Sequence, residues 1–102
     1  MSLRRFEISL DEERITKDGV YTSEELYYTL DSAMKRKNIL KTGKGIYDGD
    51  DIHAFGAMYF SLYGCMWFMK YVDKWLSYHD GGYDDVIKSV RIKERQAANE
   101  FG

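Results

Sequence analysis

At 102 residues the chain has room for one hydrophobic core and not for two, and a hydrophobic share of 44% with 16% aromatics is enough to fill it. A formal charge of −2 excludes both a strongly basic nucleic-acid-coating protein and an acidic disordered chain. One cysteine, Cys65, excludes an internal disulfide and suits a reducing compartment, so residues 1–102 are expected to form a single cytoplasmic α+β domain.

In chain order, "RRFEISL" alternates, with Phe6, Ile8 and Leu10 on one side and Arg5, Glu7 and Ser9 on the other. That is the pattern of a half-buried strand. A charged loop is expected over residues 11–19. "TSEELYYTLDSAMKRK" then carries a capping box, Thr22 and Glu25, with Leu26, Leu30, Ala33 and Met34 at helical spacing and Lys35, Arg36 and Lys37 crowding the last turn. "ILKTGKGIY" and "IHAFGAMYFSLY" flank "DGDD" and read as the two strands of a hairpin. In the second of these runs both alternating faces are apolar, so it is expected to be a covered central strand in preference to a helix.

"CMWFMKYVDKWLSYH" reads as a helix, with Cys65, Phe68, Met69, Val72 and Leu76 inward. Residues 84–100 read as a helix capped by Asp84 in preference to a strand. The nearly uncharged run from Ala54 to Met69 is broken by Gly56, Ser61 and Gly64 and falls short of the roughly 20 apolar residues of a membrane span. No signal peptide is expected, because Arg4, Arg5 and Glu7 interrupt any early apolar stretch.

These elements predict an antiparallel sheet of three or four strands with two or three helices, in a ferredoxin-like βαββα(β/α) order. The same order predicts that the loops at Asp11 to Tyr21, Asp48 to Asp51 and His79 to Asp85 share one end. That end would gather ten of the seventeen acidic residues, opposite a basic end of Lys35, Arg36, Lys37 and Lys41. "YDGDDIH" and "YHDGGYDD" would then be neighbours. Asp48, Asp50, Asp51, His53, His79 and Asp80 form a candidate site for Mg, Mn or Zn, carboxylate oxygens suiting the first two and imidazole the last. Turn chemistry explains the same residues without a metal, since aspartate and glycine form turns and His79 suits a helix C-terminus.

No pattern of a catalytic triad, paired metal ligands or an EF-hand is present, and "TGKG" at Thr42 to Gly45 lacks the remaining spacing of a phosphate loop. No cofactor is therefore expected. Cys65 has no histidine close in sequence to activate it and reads as a small buried hydrophobe.

Nine tyrosines in so short a chain are the compositional oddity, because tyrosine favours core margins and interfaces. Phe55, Tyr59, Tyr63, Trp67, Tyr71, Trp75 and Tyr78 are the expected interface residues. The expectation is a non-enzymatic protein-binding module that self-associates as a homodimer or docks another protein through this aromatic surface, with neither nucleic acid nor membrane as partner. The alternative is a divalent-metal- or small-ligand-binding protein, or a hydrolase, working at the acidic loops.

Overall fold

The computed structural model describes residues 3–90. Strand β1 (Arg4–Leu10) is followed by helices α1 (Glu12–Asp18) and α2 (Ser23–Arg36), then strands β2 (Leu40–Gly43) and β3 (Ile46–Gly49). Helices α3 (Ile52–Tyr63) and α4 (Met66–Tyr71) precede strands β4 (Val72–His79) and β5 (Gly82–Asp85). The five strands form one sheet in the order β2-β3-β1-β4-β5, and every neighbouring pair is antiparallel. The architecture is α+β.

β1 is central and follows its alternation: Phe6, Ile8 and Leu10 are buried, and Arg5, Glu7 and Ser9 point to the other face. Across the ladder Phe6 registers with Tyr47 and Ile8 with Trp75, so these rings share the covered face. Phe6 packs on Phe55 at 4.8 Å and on Trp75 at 6.1 Å between centroids, and Phe68 meets Trp75 edge-on at 5.2 Å. Buried residues of α1 to α4 and of the helical residues 86–90 join this one cluster, and the opposite face carries no helix among the described residues.

α2 forms where the capping signal places it: the Glu25 N–H donates to Thr22 Oγ1 at 3.1 Å, and Leu26, Leu30 and Met34 are buried. Four segments depart from expectation. Residues 12–18 are helix α1 and not loop: the Arg14 N–H donates to the Asp11 carboxylate, Ile15 is the buried anchor, and Gly19 closes the helix in the left-handed region at φ 68°. The hairpin is formed within "LKTGKGIYDG", β2 folding on β3 around Lys44 and Gly45, so "TGKG" is the end of a strand and its turn. "IHAFGAMYFSLY" is helix α3 and not a strand. Asp51 caps it by accepting from the His53 and Ala54 N–H groups, and Ala54, Phe55, Met58 and Leu62 form a helical buried stripe.

"CMWFMKYVDKWLSYH" divides into short α4 and long β4 in place of one helix. The sequence tolerates this because Trp75 and Ser77 fall on the covered face while Lys74, Leu76 and Tyr78 alternate to the other. In the segment expected to be helical, residues 86–90 are helical, with Val86 and Ile87 buried. The Lys88 N–H is capped by Asp85 and not by Asp84. The rest of that expected helix lies outside the described residues.

These changes redistribute the loops. Arg4 registers with Gly49 and Arg5 with Tyr78, so the ends of β3 and β4 meet the start of β1. Leu10 registers with Val72, and the Asp11 N–H donates to the Tyr71 carbonyl, which puts α1 at the far end. Leu40 registers with Asp48, which brings the basic end of α2 to the Asp48 end. The expected split into one acidic and one basic end is therefore replaced by mixed charge at both.

Candidate interaction surface

The two His/Asp loops do share one end of the sheet. Asp48 and Tyr78 both register with Arg5, from opposite sides of β1, which holds their backbones about 10 Å apart. Most of the candidate metal ligands carry structural duties. Asp48 accepts from Arg5 Nε at 2.7 Å and Nη2 at 3.0 Å and from Thr42 Oγ1 at 2.9 Å. The Arg5 hydrogen bond, helped by Thr42, holds the Asp48 carboxyl below the usual aspartate range. Asp51 caps α3, and His53 in that first turn is exposed. His79 Nδ1 accepts from the Gly81 N–H at 3.2 Å, and Nε2 lies 3.4 Å from the Asp84 carboxylate. Asp50 and Asp80 are exposed. Among the described residues no group of three or more His, Cys, Asp or Glu side chains is gathered to hold a metal ion.

The expected aromatic interface is divided by the fold. Phe55, Tyr71 and Trp75 are core side chains. The Trp75 indole N–H is buried with no hydrogen-bond partner among the described residues. Tyr71 also donates its hydroxyl to Asp18 at 2.9 Å, and Lys70 pairs with the same carboxylate at 3.2 Å, which pins α4 to the end of α1. Tyr59 and Trp67 are half-buried against the core. Tyr78 lies on the uncovered sheet face, its hydroxyl donating to Glu7 at 3.4 Å. There it lines a shallow cleft of about 550 Å³ with Leu3, Arg4, Arg5, Glu7 and Asp48, in which both carboxylates and Arg5 are already paired with one another.

Tyr63 alone of the set is both aromatic and well exposed, and it stacks on Tyr59 with the rings 9° from parallel. It belongs to a stripe that the strand reading hid. Because α3 is a helix, Ile52, Gly56, Phe60 and Tyr63 fall on its outward side, at 3.6-residue spacing. Ile52 is 55%, Phe60 76% and Tyr63 47% exposed, and Met66, just beyond the helix, is 89% exposed. No Asp, Glu, Lys or Arg occurs from Ile52 to Met69. A helix that is apolar on both sides is ordinarily buried on both. The available signal was the missing charge: α1 and α2 carry acidic first turns and basic last turns, and α3 carries neither.

No family model matches the chain, and no curated protein or solved structure matches it either. No helix among the described residues is long and apolar enough to cross a membrane.

Proposed function

We propose that the chain is a non-enzymatic protein-binding module that docks through the outward side of α3. The observation that carries this is the exposed uncharged stripe of Ile52, Phe60, Tyr63 and Met66 on an otherwise charge-rich protein, of the kind that marks interaction sites. A nucleic acid is disfavoured by the absence of Lys and Arg on the helix, which leaves no counterion release to drive binding. A membrane surface is disfavoured for the same reason and by Asp50 and Asp51 at the start of α3. The sheet is read here as a ferredoxin-like one extended by β5, an architecture that hosts many functions and assigns none. The free thiol of Cys65 supports a reducing, cytoplasmic setting.

The reading is tested by placing a photo-cross-linking amino acid at Phe60 and, separately, at the equally exposed Tyr28 of α2, in cells making the protein. Protein adducts are expected at position 60 and not at 28. Adducts to lipid, none at all, or the same adducts at both positions would overturn it.

A further inference from the structure

Resting on that reading, we infer that the occupant of the α3 face is a second copy of this chain, its α3 antiparallel to the first about a two-fold axis. The first support is shape. Phe60 projects one turn beyond Gly56 on the same side of the helix, and a Cβ added at Gly56 would meet nothing within 4 Å. A two-fold axis passing between these two levels sets the Phe60 ring of each copy over the Gly56 notch of the other. One surface then supplies both halves of the fit, as an isologous interface requires. Ile52 and Tyr63 flank the pair, the former of one copy facing the latter of its partner.

The second support is electrical. The ends of α1 and α2 are complemented by side chains of their own first and last turns, whereas α3 has no acidic residue in its first turn and no basic residue in its last. The N-terminal end of α3 is complemented by the Asp51 cap and its last carbonyls, of Phe60 and Leu62, accept from the Gly64 N–H, so the dipole of α3 is left neutral toward pairing and the apolar fit drives it. With no formal charge on the stripe, two identical faces meet without like-charge repulsion.

The third is area. A 12-residue helix is about 18 Å long, which offers less than the roughly 800 Å² per partner of a standard interface. The pair is accordingly weak and depends on concentration.

Sedimentation from about 5 to 500 µM tests the pairing. The weight-average mass is expected to climb toward twice that of the chain. Phe60→Glu and Gly56→Glu are expected to hold it at the monomer value, and Tyr28→Glu to leave the climb unchanged. Neither α3 substitution should unfold the protein, because both sites are exposed and glutamate is a better helix former than glycine; far-ultraviolet circular dichroism checks this. A wild-type mass that stays monomeric throughout overturns the inference, as does a dimer that both substitutions leave intact. The orientation is read in a Cys65→Ser background, mixing chains bearing Gly56→Cys with chains bearing Phe60→Cys. The mixed disulfide is expected to outrun both homodimers, and the reverse ranking overturns the antiparallel geometry. Protein adducts at position 60 of a strictly monomeric chain would remove the self-pairing alone and leave the docking face standing.

Discussion

A methyl group added at Gly45 would collide with the Ile8 carbonyl oxygen, and the residue sits at φ 72°, so two independent constraints demand glycine there. The close approach is functional for the sheet, because the Ile8 N–H donates to the Gly45 carbonyl at 2.7 Å. Gly45→Ala is expected to destabilise the fold by at least about 2 kcal/mol in urea denaturation. Gly56 is the opposite case, a helical glycine with open space around it, and Gly56→Ala should stabilise the monomer by about 0.5–1 kcal/mol. Tyr47 is wholly buried with its hydroxyl donating to Asp31 at 2.7 Å; burial first, then that bond, pushes its pKa well up. Tyr47→Phe should cost about 1–2 kcal/mol by the same measurement, no more than that because Asp31 keeps Lys41 at 3.0 Å. Tyr47 was legible only as part of a turn motif, since its burial depends on which sheet face Phe6 occupies.

At the scale of elements, β1 and α2 were legible because one period and one set of caps agreed in each. α3 and β4 were not, for a shared reason. In Ile52 to Tyr63 an apolar residue stands at almost every position, so strand and helix periods both find a buried side, and the choice falls to the Asp51 cap and to tertiary packing. In Met66 to His79 the four-residue spacing of Trp67, Tyr71 and Trp75 imitates a helix, although the chain straightens at Val72, where φ is −69° and ψ 129°. The strand reading puts Ile52 and Phe60 on a covered face and so conceals the candidate surface; of the expected interface residues in this run, Phe55, Tyr59 and Tyr63, only Tyr63 is well exposed. The α1–α4 junction gives an element-scale prediction. The Tyr71 hydroxyl first, and then Lys70, hold the Asp18 carboxyl below its usual range. A carboxylate depressed in the fold stabilises it above the unfolded value and loses that contribution as pH falls through the folded one. The Tm should therefore drop as pH is lowered from about 5 to about 2, and Asp18→Asn should start lower at neutral pH and fall less steeply. An unchanged slope in that variant would remove Asp18 from the account.

At the scale of the whole molecule, a sheet that the helices of the described residues cover on one side only leaves two kinds of surface. The uncovered sheet face is a mixed one, where Arg5, Glu7, Asp48 and Lys74 neutralise one another between partly buried Ile46, Leu76 and Tyr78. The α3 side is uncharged, and the prediction at this scale concerns concentration. If copies pair there, the wild-type Tm should rise with protein concentration while that of Phe60→Glu stays flat, since only the native dimer gains by mass action. The central position of β1 has a consequence of another sort. Tyr78 bonds Glu7 across 71 positions of sequence, and β4 supplies the whole of one flank of β1. A chain emerging in order exposes the first strand long before its long-range neighbour exists, and loop closure of that size is slow relative to local helix formation. During synthesis α1 and α2 can form at once, while β1 waits with one edge bare until residues 72–79 arrive, so the middle of the finished sheet closes only after the elements on its other flank have been made.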